Sequence, residues 1–325
     1  SAAFIQPHLS WGRWTLIPGY RIDRYQVEAT GTTREVLDAY GEPTRISLTR
    51  GTPSAGLVFD VVPERLSLAY NYAEAFRPPL FDEYFTQGAF SNCLSFFMPR
   101  LGPASNSCGA LHDPQEAVNQ EVVLSWRQPI AAIGGQMDFK FTHFWIDTDH
   151  LLESIREVSA DEIAQPGAEK RRGNEIELSL RTARTYLSAA YSRMDGSVDP
   201  AGGILKPGDS AEDIARHPLY NAPANTLSLS AGWSISDDLE LGIGHRMVAS
   251  RLVTRQEAGH EVVHTHQAYR IWNASLNWAL NDHLQMHLVG ENLSNTRYHL
   301  PDGFGGGEGA LAPGRNLQVK LTVRL

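Results

Sequence analysis

The sequence predicts an all-β fold, a transmembrane antiparallel β-barrel wall, and three observations predict it. A segment of roughly ten residues in which apolar and polar residues alternate recurs about thirteen times; a strand built that way has one greasy face and one wet one. Segments of this length match the roughly nine to eleven residues a strand needs to cross a bilayer, not the about five or six of an average soluble strand. The connections alternate between very short turns and long polar stretches, the layout of an outer-membrane barrel with periplasmic turns and outward loops.

Taken along the chain, the clearest strands are these. Met137, Phe139 and Phe141 alternate with Gln136, Asp138, Lys140 and Thr142, and Ile176, Leu178 and Leu180 with Glu175, Glu177, Ser179 and Arg181. Leu227, Leu229, Ala231 and Trp233 alternate with Ser228, Ser230 and Gly232. Trp272, Ala274, Leu276, Trp278 and Leu280 are interleaved with Asn273, Ser275 and Asn277. From Leu317 to Leu325 every odd position is apolar and every even one polar or charged. Short turns are expected at Pro63-Glu64, Thr182 to Arg184, Ser236 to Asp238 and Asn281 to His283. Long loops are expected near residues 29–45, 80–115, 150–172, 197–224, 251–268 and 296–315.

The composition agrees with this reading. A hydrophobic content of 42% and a mean hydropathy of -0.29 are what a barrel with a wet lumen requires, since only every second strand residue meets lipid. No run approaches the roughly 18 to 20 apolar residues of a membrane helix. The formal charge of -9 argues against a nucleic-acid partner. Trp11, Trp14, Tyr20, Trp126, Trp145, Trp233 and Trp278 fall near strand ends, where an interfacial girdle places amphipathic rings. The two cysteines, Cys93 and Cys108, share one outward loop and read as a disulfide worth ~3 kcal/mol; two free thiols or half a metal site is the alternative. The start at Ser1, without initiator Met or signal peptide, is expected of a piece of a longer precursor.

Three separated stretches then carry a resemblance. Ala3 to Tyr25 holds a Phe-x-Gln entry strand and a PG-x-R-x-D-x-Y strand, and Ser54 to Tyr72 continues it. Arg65 to Glu83 is a Tyr-rich strand running into Phe76, Arg77, Pro78 and Pro79. Val289 to Leu325 carries an ENL-x-x-x-x-Y strand end, a Gly-rich loop, PGR and a last strand. In this order they resemble the C-terminal part of the barrel of TonB-dependent outer-membrane receptors, over essentially residues 1–325. The resemblance implies about 22 strands in a complete barrel, a luminal plug that contacts TonB, and unpaired edges here at residues 2–11 and 316–325. The final Leu325 departs from the family's usual aromatic terminus.

The stretch from Phe76 to Glu116 resembles the haem and haemoglobin receptor branch, which implies haem as a transported ligand rather than a permanently bound cofactor. Haem iron takes an imidazole as axial ligand and its propionates take Arg donors. His112 with Arg100, and Phe90, Phe96 and Phe97 against the porphyrin, supply those groups; the competing reading has the aromatics packing the loop and His112 in solvent. His112 sits at the second family box rather than before it. His260, His264 and His266 form a second cluster, read as a metal or haem contact or as an exposed His-rich loop, with His299 a weaker candidate. His143, His245 and His287 lie in strands and read as structural, His143 near an interface and His287 facing the lumen.

Ser159-x-x-Glu162 and Ser210-x-x-Asp213 are capping boxes for loop helices, and 169–172 is a solvated loop junction facing lipopolysaccharide phosphates. Absent catalytic motifs predict no enzyme. The expected function is TonB-driven import of haem, free or from a carrier protein. A ferric-siderophore receptor, and a plugless pore or adhesin, are the alternatives.

Overall fold

The computed structural model describes residues 1–28, 30–31, 34, 44–78, 114–151, 167–199, 217–219, 222–257, 260–300 and 309–324. Among the described residues seventeen strands run β1 (Ala2–Ile5), β2 (Leu9–Trp11), β3 (Trp14–Glu28), β4 (Arg45–Val62), β5 (Leu66–Arg77), β6 (Gln115–Ile130), β7 (Gly135–Leu151), β8 (Gly167–Arg181) and β9 (Thr185–Asp199). They continue as β10 (His217–Pro218), β11 (Asn225–Ser234), β12 (Leu239–Val248), β13 (Arg251–Glu257), β14 (His260–His266), β15 (Tyr269–Asn281), β16 (Leu284–Glu291) and β17 (Asn316–Val323). One antiparallel sheet takes the path β1-β3-β4-β5-β6-β7-β8-β9-β11-β12-β15-β16-β17, thirteen strands side by side, with β2 on β3 and β10 on β9. Along this path strands follow sequence order across short turns and long connections alike. Among the described residues, β1, β2 and β17 each pair on one side only, which puts open edges at the two expected segments.

Register carries the alternation across the sheet. Phe139 pairs with Trp126 and with Leu178, Leu178 with Ala189, and Ala189 with Leu229, so one apolar row crosses five strands. One residue along, Asp138 pairs with Arg127, and Lys140 with Glu177. Those pairs are ion pairs on the opposite face, Arg127 to Asp138 at 2.9 Å and Lys140 to Glu177 at 3.2 Å. Only the apolar face can meet hydrocarbon, so it is the outer one and the ion-paired face lines the lumen. Tyr186 lies across Gly232 on the luminal face, which leaves no room for a Cβ there. His287, hydrogen-bonded to Asn277, faces the lumen as predicted. Trp11, Trp14, Trp126, Trp233 and Trp278 are exposed beside the short turns, and Tyr20 and Trp145 are exposed nearer the long loops.

Several expectations are corrected. Strands reach 18 residues in β4 and 17 in β7, well past the bilayer requirement. Their outer halves keep the backbone ladder past that length, and on β7 Phe144, Trp145 and Ile146 in succession break the alternation there. The boundaries at 150–172 and 197–224 therefore shift, with β7 ending at Leu151, β8 starting at Gly167 and β9 ending at Asp199. Glu169 to Arg172 is strand, not a loop junction: Arg171 pairs with Glu169 on one face and Arg172 with Asp195 on the other. The stretch at 251–268 is a two-stranded hairpin, β13 against β14, rather than a loop. A short turn at 131–134, closed by Gly134 at φ 55°, joins β6 to β7; its apolar Ala131, Ala132 and Ile133 gave no polar turn signal.

The face assignment makes a measurable claim. Leu178→Arg, in the middle of the outer apolar row, is expected to destabilise the barrel by about 2–4 kcal/mol in urea unfolding from lipid vesicles, and Glu177→Gln by far less. A small loss for Leu178→Arg with a gain for Glu177→Gln would mean the faces are reversed.

Candidate functional site

The strand ends that flank the long connections lie at one end of the wall and form its outer rim. His112, Arg100, Phe90, Phe96, Phe97, Pro79, Cys93 and Cys108 lie outside the described residues, as do the two capping boxes at 159 and 210. Phe76 and Arg77 end β5, in register with Glu116 and Gln115 of β6. Pro78, which has no N–H to continue the ladder, follows immediately.

The described part of the rim brings two of the sequence candidates together. His266 of β14 pairs with Arg251 of β13, and the His266 and His299 rings lie 5.3 Å apart. Arg251 is only 5% exposed and explains the approach. Its Nη2 donates to the His299 carbonyl at 2.8 Å and to His266 Nδ1 at 3.3 Å, tying the hairpin to the last outer loop. A buried guanidinium with charge-assisted donors holds such a junction at roughly 1.5–3 kcal/mol per bond. Tyr269 and Tyr298 stack beside it, centroids 4.0 Å apart and planes 16° from parallel. Burial, with Tyr269 alongside, pushes the Tyr298 phenol above its ordinary pKa and keeps it neutral.

The chemistry of this cluster is narrower than the sequence suggested. His264, opposite Val253, and His266, opposite Arg251, share one face of the extended hairpin, as the spacing predicts. Arg251 already donates to Nδ1 of His266, and a cation beside it opposes a second positive charge. Among the described residues no three His, Cys, Asp or Glu side chains converge to hold a metal. His260 is placed only by its pairing with Glu257 at the hairpin tip. His143 sits on the outer face at the level where the apolar row ends, its Nδ1 2.7 Å from Asn174 Oδ1 and its ring edge-on to Trp145. His245, also outward, stacks on Trp272 with centroids 4.1 Å apart.

Sequence reasoning missed Asn292, which follows β16 and is 4% exposed. Its Oδ1 accepts from Thr296 N at 2.9 Å, and its Nδ2 donates to the Thr296 carbonyl at 2.9 Å and the Pro313 carbonyl at 3.2 Å. Asn292 and Asn295 both take positive φ, 46° and 51°, which Asn tolerates better than other side-chain-bearing residues. Asn295 Oδ1 in turn accepts from Arg315 N at 3.0 Å. The ENL and PGR boxes, far apart in sequence, are thus two halves of one corner. The signal was present in the Asn-rich ENLSN run.

Replacing Arg251 with Ala is expected to speed amide exchange about tenfold to a hundredfold in β13, β14 and residues 298–300, leaving β7 and β8 unchanged. Unchanged exchange in the hairpin would show that Arg251 does not hold it.

Comparison with known proteins fits this geometry. Residues 1–293 match the model of the TonB dependent receptor-like β-barrel family. No curated protein matches. Among solved structures, the ferric-catecholate import receptor Fiu of E. coli K12 aligns at TM-score 0.67 and 19% identity, covering 99% of this chain and 44% of its own. The ferripyoverdine receptor of Pseudomonas aeruginosa aligns at 0.68 and 15%, covering 99% and 38%. The FrpB iron transporter of Neisseria meningitidis aligns at 0.69 and 18%, covering 99% and 44%. The chain therefore spans less than half the length of each of these proteins. It belongs to the TonB-dependent receptor β-barrel family of the bacterial outer membrane.

Proposed function

We propose that this chain is barrel wall of an outer-membrane importer of chelated iron, driven by TonB through a plug in its lumen. One observation carries the reading: a sheet apolar outside and laced with ion pairs inside, its long connections all leaving from strand ends at one end of the wall. Such a wall encloses a hydrophilic passage and presents a capture surface at its mouth. The similar structures include a ferric-catecholate import receptor and a ferripyoverdine receptor, and both names support a ferric siderophore as cargo.

Haem, free or delivered by a carrier protein, is the second reading, favoured by the paired imidazoles of His266 and His299 at the rim and by the His112 region of the sequence. The Arg251 donation to His266 weighs against that pair as an iron site, so His112 with Arg100 is the stronger haem contact. A plugless pore has nothing in its favour beyond the wall itself.

Growth of an iron-starved host separates the readings. With the gene encoding this chain expressed, ferric siderophores are expected to restore growth and TonB deletion to abolish it. Growth on haemin that disappears in His112→Ala assigns haem instead. Growth on neither source overturns import of iron.

A further inference from the structure

Strand pairs joined by short turns are zipped to different heights. β6 and β7 stay paired out to Glu116 and Asp149, and β8 and β9 out to Ala168 and Asp199. β4 and β5 part at Ser54 and Ala73, although β4 keeps its ladder with β3 as far as Arg45 and β5 keeps its ladder with β6 as far as Arg77. Residues 45–53 of β4 and 74–77 of β5 therefore border a seam with no ladder across it. The sequence accounts for the place: Pro53, the first residue past the last pair, has no N–H with which to continue it, and proline in a sheet belongs at an unpaired edge. Residues 54–62, which do pair with β5, are about the length that crosses a bilayer, so the unpaired backbone starts where water can solvate it.

Two observations carry the seam through the wall rather than along one face. Phe141, Leu124, Leu68 and Phe59 form one outward row, and the period of two fixes the faces above it. Arg50 thus starts from the luminal face of β4, paired with Asp23, whereas Glu116 starts from the outward face of β6, paired with Phe76. The two form an ion pair across β5, a path that an intact sheet would close. A cavity of about 540 Å³ at this level takes its lining from both faces, Arg21, Asp23 and Thr52 from the luminal one and Glu74 and Phe76 from the outward one. The clasp is wet, its side chains 42% and 35% exposed, and such a pair breaks and reforms readily.

We propose that the barrel mouth carries a side gate: the seam between β4 and β5 widens when Arg50 releases Glu116 and narrows when it rebinds. The gate changes the width of the mouth and leaves the ladder inside the membrane untouched. It goes beyond the import reading and holds whatever the cargo is.

The test uses the full-length protein in lipid nanodiscs without cargo, with spin labels at Ser47 of β4 and Asp147 of β7 and their separation read by double electron–electron resonance. Wild type is expected to show two distances. Arg50→Gln is expected to raise the share of the longer one about twofold to fivefold, the weight of an exposed ion pair, and Arg50→Glu with Glu116→Arg to restore the wild-type ratio. Molar salt is expected to act on wild type as Arg50→Gln does and to leave that variant unchanged. Labels at Asp147 and Ser197, which bracket the fully zipped β8, are expected to give one distance throughout. If a variant does not assemble, the salt response of wild type decides alone. A single distance from Ser47 to Asp147 that neither salt nor Arg50→Gln moves overturns the gate, and so does an equal change at the control pair.

Discussion

Every backbone N–H and C=O that enters hydrocarbon must find a partner inside the protein, and the rest of this structure depends on that constraint. A sheet meets it by running each strand between two others, and the path from β1 to β17 does so at every interior strand. Once the backbone is paired, side chains decide which face meets lipid. The period of two then sorts Phe139, Leu178 and Leu229 outward and Asp138, Lys140 and Glu177 inward with no further instruction. The luminal ion pairs are consequences of that sorting: charged groups all directed to one side find each other across strands, as Arg127 finds Asp138.

The same constraint stops at the membrane surface, but the strands do not. β4, β7 and β6 continue outward by several residues with the ladder intact. Nothing about lipid requires these extensions. They carry the loop bases away from the bilayer and turn a membrane wall into a projecting rim, on which Arg251 and Asn292 fasten the hairpin and the last loop. Backbone pairing supplies the height, and buried polar side chains supply the fixed position.

What could be read in the sequence follows from this division. The thirteen-strand wall was legible because one face meets lipid and the other water, which writes the strongest possible period-two signal. The outer halves were not, because Lys170, Arg171 and Arg172 in succession have no period, so they resembled a loop. β13 and β14 were hidden for the same reason: the hairpin stands in water and its Val253 is buried by the rim rather than by lipid. The turn at 131–134 was missed because it is apolar. Of the rim candidates, the pairing of His266 with His299 depends on contacts between segments more than thirty residues apart, which no local pattern encodes. Asn292 carried a local cue, an Asn-rich run at a strand end, whose meaning appears only with Pro313 beside it.

The Asn292 corner also shows that the boxes carrying the family resemblance are structural. The ENL and PGR boxes are tied to each other by hydrogen bonds, through Asn292 to Pro313 and Asn295 to Arg315. The Phe76-Arg77-Pro78 box ends a strand, with Pro78 supplying the stop. Motifs that do such work recur wherever the same corner must be built, whatever passes through the barrel. Such boxes therefore mark how the wall is built.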